Sequence, residues 1–352
     1  MAVFSVNNIK IIGMSACVPK QEDNNWNYNI LSEQEKKLLI KTTGIEKKRI
    51  ADNSTTTSDL CYTAAQKLIK KTKSNVNEIE ILIFVSRSPD YFLPATSIIL
   101  QNKLNLPNST IAFDINLGCS GYVYGLSVIG SLLAATKVKK ALLLTGDVSS
   151  FSVDKKDKST FPLFGDAGSA TLIEYNENSN PTYFNMQSDG AGFESIIIPD
   201  GGVRNPFSAQ SFQEFEIGKG IIRSKRSLTL NGEEIFNFSL REVPPNIQEL
   251  LNYAKIDKEK VDYFVMHQAN KIMNESVRKK IDFPSEKVPY SLEKYGNTSS
   301  ASIPLTIIDK LSQPLSKGKH QLLLSGFGVG LSWASVLITI ENLICTEVID
   351  YE

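Results

Sequence analysis

Short apolar runs alternate along this chain with longer stretches of helical period. Ile81 to Ser86 is a β-rich run followed by a loop carrying Pro89 and Pro94, and Thr110 to Ile115 is a second short apolar run. After Asn116-Leu117-Gly118 comes Gly121 to Ala135, apolar nearly all round, which predicts a buried helix. Lys139 to Gly146 and Ser169 to Tyr175 predict buried strands, the second entered through the turn Phe164-Gly165-Asp166-Ala167-Gly168. The second half repeats this grammar. A helix is predicted from Val243 to Ala254 with Pro244 and Pro245 at its first turn, where a missing N–H costs nothing. A strand follows at Val261 to Met266, then a loop at Ser291 to Asn297, a helix at Ile303 to Leu311, and closing strands at Gln321 to Ser325 and Leu331 to Ile340. Such alternation implies α/β layers around buried sheets. The polar stretch Asn176 to Pro181 is the natural boundary between two halves, and Phe207 to Ile222 is an excursion of weak periodicity.

Composition narrows the function classes. The chain has 352 residues, room for two domains or one large double core. With 38 basic and 38 acidic residues the formal net charge is zero, so no overall positive field draws nucleic acid. The uncharged stretch Leu322 to Ile340 has nearly the ~20 residues a membrane helix needs, but Gly326, Gly328 and Gly330 break it, and two strands joined by a glycine turn fit better. Four cysteines, Cys17, Cys61, Cys119 and Cys345, have neither zinc-site nor redox-pair spacing, and two histidines are too few for a Cys/His metal centre. Neither metal nor cofactor is expected. No targeting segment is visible at Met1 to Pro19, and a reducing cytoplasm is the expected setting.

Four constellations carry chemistry. Cys119 lies in Gly118-Cys119-Ser120-Gly121, at a strand–turn–helix junction where the helix dipole favours a thiolate and small neighbours leave room for a thioester. A buried structural cysteine is the plainer reading. His267, in Met266-His267-Gln268-Ala269-Asn270, ends a strand where α/β folds place ligands, although a satisfied core histidine fits equally. Tyr295-Gly296-Asn297-Thr298-Ser299 reads by itself as a turn plus a helix cap. In Ser325-Gly326-Phe327-Gly328-Val329-Gly330, alternate glycines allow close backbone approach. No Lys-Ser/Thr helix follows, so an amide aimed at a carbonyl oxygen is a better reading than a phosphate loop.

Taken in order, these motifs together with Phe164-Gly165-Asp166 resemble the thiolase superfamily, specifically β-ketoacyl-ACP synthase III. The resemblance implies a thiolase fold of two duplicated βαβαβαββ halves, 1–175 and 176–352, in a five-layered α-β-α-β-α arrangement, assembled as a homodimer. It implies acylation of Cys119 by an acyl-CoA or acyl-ACP primer, then decarboxylative Claisen condensation with malonyl-ACP. His267 and Asn297 would stabilise the enolate, and the amides of Cys119 and Val329 would form an oxyanion hole. Leu93 aligns with a chain-length gate donated across the dimer, where phenylalanine is common. Lys158 aligns with an arginine beside the CoA adenine, and Leu38 with a stacking tryptophan. Phe164 and Asn270 fall among substrate-binding positions. Lys271 adjoins Ile272, which aligns with an arginine that docks acyl carrier protein. Where the family often has glycine, this chain has Val329, whose amide survives the change. Two alternatives stay open: a non-decarboxylating acyltransferase on the same fold, and an inactive paralogue serving as a partner subunit.

Overall fold

The computed structural model describes residues 2–352. Two sheets form the frame. The first has seven strands: Ile344–Cys345, Ile9–Pro19, Ala167–Tyr175, Lys140–Asp147, Ile79–Val85 and Ile111–Ile115 in spatial order, with Ile349–Tyr351 also paired to Ile9–Pro19. The second has five, in the order Ala2–Val6, Thr182–Ser188, Ser332–Glu341, Lys319–Gly328 and Tyr263–Met266. The predicted strands Ile81 to Ser86, Thr110 to Ile115, Lys139 to Gly146 and Ser169 to Tyr175 thus lie within two residues of observed ones. The stretch Asn176 to Pro181 carries the chain from the first sheet to the second. The first strand pairs in the second sheet and the last two in the first, so the sheets exchange edge strands across that point.

Between the sheets lie the helices Gly121–Thr136 and Ser302–Leu315. Their apolar residues, including Val123, Leu126, Ile129, Ile303 and Ile307, share one core with Ile81, Ile83, Leu143, Leu322 and Val336 from both sheets. This explains why Gly121–Thr136 is so apolar: most of its surface meets a sheet or another helix, while Ser131 and Ala135 mark its one exposed face. The helix Thr57–Thr72 covers the outer face of the first sheet through Leu60, Ala64 and Leu68. Gly232–Ala254 and Lys271–Lys280 cover the second through Phe238, Ile247, Met273 and Val277. Burying such side chains contributes roughly 1.5–3 kcal/mol each, and the result is five layers, helix–sheet–helix–sheet–helix.

Several local expectations need correcting. Pro244 and Pro245 do not open a helix; they sit inside one that starts at Gly232. Asn231 is the true start, its side chain accepting from the Glu234 amide. The Leu240 carbonyl, which the nitrogen of Pro244 cannot serve, accepts instead from Lys280 Nζ at 2.8 Å. Ser291 to Asn297 is not a plain loop, because Leu292–Tyr295 forms one helical turn closed by Gly296 at φ +64. A side chain at Gly296 would meet the Leu163 carbonyl at 2.8 Å. The excursion after Phe207 includes a hairpin, Phe215–Gly218 with Ile221–Arg223. The uncharged, glycine-containing stretch Leu322 to Ile340 lies in the strand pair Lys319–Gly328 and Ser332–Glu341, and no helix of the described residues is long and apolar enough to cross a membrane.

Candidate active site

Strand ends position the site. Strands Ile79–Val85, Ile111–Ile115 and Lys140–Asp147 run parallel, and Tyr263–Met266 is parallel to Lys319–Gly328. At or just beyond their C-terminal ends stand Arg87, Cys119, Asp147 and His267, where α/β folds gather ligands. Cys119, His267, Asn297, Val329, Phe164 and Asn270 line one cavity, as does Arg87. Leu163, Ile196, Leu228, Leu230, Ile235 and Met273 give it an apolar sleeve.

The glycine turn exists to let a strand pass against the nucleophile. A Cβ at Gly328, whose φ is +154, would stand 2.7 Å from Cys119 Cβ and 2.9 Å from its sulfur. One at Gly326 would stand 2.9 Å from the Cys119 carbonyl oxygen. The turn is tied to the helix start by Ser332, whose hydroxyl lies 2.7 Å from Ser120 Oγ and donates to the Val329 carbonyl at 2.8 Å. Val329 thereby presents its amide to the Cys119 sulfur. The Cys119 amide itself donates to no carbonyl among the described residues.

Cys119 has a lowered pKa, about 7. Burial pushes the thiol up, but His267, by charge and by hydrogen bond, Arg87 by charge, and the Val329 amide together outweigh it. The other cysteines behave oppositely: burial pushes Cys17 and Cys345 up to about 12, and Cys61 higher still. Only one of the four is therefore primed as a nucleophile near neutral pH.

Both neighbouring polar side chains are held with their donors facing the cavity. The His267 main chain is fixed by its amide donating to Ser325 and by Asn274 Nδ2 donating to its carbonyl. Ser302 Oγ lies 2.7 Å from His267 Nδ1 and accepts the Gln268 amide at 3.3 Å. When Ser302 donates to Nδ1, a neutral imidazole carries its proton on Nε2, toward the cavity; when the ring is charged, Nδ1 donates to Ser302 instead. Asn297 Oδ1 accepts the Ser299 amide at 2.9 Å, so its NH2 group is the free end. Phe164-Gly165-Asp166 anchors this loop: the Asn297 amide donates to Leu163, and the Gly165 amide to Asn297. Asp166 accepts from the Ala51 and Ser150 amides. Its carboxyl is raised to about 6 by burial, against those hydrogen bonds.

Other expected positions fall elsewhere. Lys158 is outside the cavity wall and pairs with Glu35 at 3.0 Å. Leu38 and Ile272 are exposed. Lys271 is exposed too, its stem lying over Gly44. Asn270 lines the cavity while its Oδ1 caps the helix Lys271–Lys280 by accepting the Met273 amide. Leu93 is 87% exposed and does not reach the cavity of its own chain. Sequence reasoning missed Arg87 and Asp147. The signal available was a charged residue at, or two residues beyond, the C-terminal end of a buried parallel strand.

Comparison with known proteins places the chain in a family. Residues 113–190 match the family model described as 3-oxoacyl-[acyl-carrier-protein] synthase III, and residues 251–340 match its C-terminal counterpart. The β-ketoacyl-[acyl-carrier-protein] synthase III of Streptococcus mutans is 32% identical over 94% of this chain and 99% of its own length. This chain belongs to the 3-oxoacyl-ACP synthase III family. The 3-oxoacyl-(acyl-carrier protein) synthase of Burkholderia xenovorans superposes with a TM-score of 0.93 at 37% identity, covering 99% of both chains. The synthase III of Pseudomonas aeruginosa superposes at 0.83 with 25% identity, covering 95% of this chain and 99% of that one. The fold is accordingly the thiolase fold, and the protein is a β-ketoacyl-ACP synthase III-like acyltransferase, a condensing enzyme of fatty-acid biosynthesis type.

Proposed function

We propose that this enzyme condenses an acyl primer, carried by CoA or acyl carrier protein, with malonyl-ACP through an acyl-Cys119 intermediate. The observation that carries the reading is one activated thiol facing two oriented N–H donors in a single apolar-sleeved cavity. In the first half-reaction the Cys119 thiolate attacks the primer thioester. The new S–C bond forms as the bond to the carrier sulfur breaks, and the carrier leaves as its thiol after taking a proton. The amides of Cys119 and Val329 receive the tetrahedral oxyanion. In the second, His267 Nε2–H and Asn297 Nδ2–H hold the malonyl thioester oxygen as CO2 departs, so that the carbanion equivalent is stabilised as an enolate. That carbanion attacks the acyl carbonyl and Cys119 leaves as thiolate. Splitting the transfer in two lowers each barrier.

An amide at Asn297 suits this role, since a carboxylate there would repel the enolate. Phe164 and Asn270 form part of the wall along which the pantetheine arm passes. Exposed Lys271 is a docking point for acyl carrier protein. The exposed apolar run Tyr91-Phe92-Leu93 supports a homodimer in which Leu93 serves the partner subunit's cavity as the chain-length gate. We take residues 1–175 and 176–352 as the two duplicated halves, and the cytoplasm as the site of action. Initial-rate kinetics test the scheme: varying primer against malonyl-ACP should give the parallel double-reciprocal lines of a ping-pong mechanism. Intersecting lines would point to direct transfer without a covalent enzyme.

A further inference from the structure

Arg87 is unusual in where it is put and in how little it is used. It stands two residues beyond the strand Ile79–Val85 and shares the cavity wall with Cys119 and Val329. Its stem lies against Gly118: a Cβ there would come within 2.6 Å of Arg87 Cδ and 2.8 Å of Nε, and within 3.0 Å of Val329 Cγ1. Glycine at 118 thus admits a guanidinium right beside the nucleophile turn. Of its donors, Nη2 is used on Ser149 Oγ at 3.0 Å. Among the described residues neither the buried Nε nor Nη1 has a hydrogen-bond acceptor. Asp147 supplies a balancing charge but no hydrogen bond, with Oδ1 3.8 Å from Nε. That oxygen is taken by the Arg87 amide at 2.7 Å and Ser86 Oγ at 3.2 Å, and the other faces Ser300. A buried charged donor without an acceptor is costly.

We propose that Arg87 anchors a carboxylate at the far end of the acyl primer, so that the preferred primer is a short ω-carboxyacyl thioester rather than a plain fatty acyl one. The proposal rests on the reading that Cys119 is acylated. A carboxylate is the anionic acceptor that fits a guanidinium whose Nη1 and second Nη2 hydrogen are uncommitted. It also restores charge. Acylation removes the negative sulfur beside Arg87, and a primer carrying its own anion replaces it. The methylenes between thioester and carboxylate would lie along the apolar lining that shares the cavity with Cys119 and Arg87. The extender's carboxylate is the wrong guest, because a guanidinium holding it would stabilise the ground state of the decarboxylation and slow CO2 loss.

The test is competitive loading of the intact enzyme, read as the mass of acyl-Cys119, with glutaryl-CoA against pentanoyl-CoA and succinyl-CoA against butyryl-CoA. The wild type should favour the carboxylated member of at least one pair. In Arg87→Met that ratio should fall roughly 10- to 100-fold, with Arg87→Lys intermediate because its charge remains without the planar fork. Arg87→Lys also supplies the ratio if Arg87→Met does not accumulate as folded protein. A wild type that prefers the neutral member of both pairs overturns the proposal and leaves the acyl-enzyme intact. So does an equal loss for both members in the variants, the result expected if Arg87 only tunes the thiolate. A raised KM for malonyl-ACP with an unchanged loading ratio would give Arg87 to the extender and also overturn it. Failure of every acyl thioester to load Cys119 would remove the underlying reading as well.

Discussion

The hydroxyl of Ser302 and the imidazole of His267 meet at 2.7 Å from Oγ to Nδ1, and the same oxygen accepts the amide of Gln268. A serine donating to Nδ1 keeps the proton of the neutral ring on Nε2. Ser299 does the corresponding job for Asn297 from the same short segment, its amide fixing Oδ1 at 2.9 Å. One turn of chain, entering the helix Ser302–Leu315, thus orients both donors. Ser302 is a positioning residue. Ser302→Ala should lower CO2 release from malonyl-ACP by at least about tenfold, approaching the roughly 10²–10³ cost of losing a donor outright. The KM for malonyl-ACP should move less than kcat, and Ser302→Thr should recover part of the rate. Unchanged decarboxylation in the alanine variant would contradict this positioning role.

His267 and Asn297 should separate in the loading step. His267 also holds the Cys119 thiol low, so His267→Ala should acylate slowly near neutral pH and recover only in more alkaline solution, because burial then pushes the thiol up with only Arg87 and the Val329 amide opposing it. Asn297→Ala should load at close to the normal rate. Both should fail in decarboxylation, because both face the enolate oxygen. Stopped-flow acylation alongside CO2 release reads the two steps apart. Equal loading defects in the two variants would contradict this division.

Alkylation should reveal the same electrostatics. The Cys119 thiolate, with a pKa of about 7, should react with iodoacetamide at a rate that rises with pH, half-maximal near that value, and then levels off. Cys17 and Cys345, pushed up to about 12 by burial, stay protonated throughout that range. Peptide mapping after brief labelling should find Cys119 first. Earlier labelling of another cysteine would contradict the pattern.

Much of this site is legible in the sequence. The turn before Gly121–Thr136 and the histidine at a strand end follow from apolar pattern and turn chemistry alone. Asn297 does not: Gly-Asn followed by serines reads as a turn and cap, which is also what those serines are, and their second use in orienting side chains is tertiary. Arg87 is hidden because a basic residue followed by Ser-Pro looks like a solvated loop. Only the packing of Gly118 shows why it is admitted to the wall. Pro244 lies inside a helix although proline favours a first turn. The helix runs through it because Lys280, distant in sequence, serves the carbonyl left free.

Gly328 carries a packing prediction. Its φ of +154 is disfavoured for any side chain, and an alanine Cβ would stand 2.7 Å from Cys119 Cβ. Gly328→Ala should destabilise the fold by about 1–3 kcal/mol and displace the sulfur from the Val329 amide. Thermal unfolding should show the first effect and slowed acylation the second. A variant with wild-type acylation would mean that this glycine is not what admits the nucleophile.

The central claim is tested most directly by intact-protein and peptide mass spectrometry of one sample at two moments. After incubation with an acyl primer, a single acyl group should reside on Cys119 and be absent from Cys119→Ala. On adding malonyl-ACP, the mass should return to that of the free enzyme as CO2 and a β-ketoacyl-ACP appear together. An acyl group on another residue, or an acyl-Cys119 that malonyl-ACP does not discharge, would contradict the account.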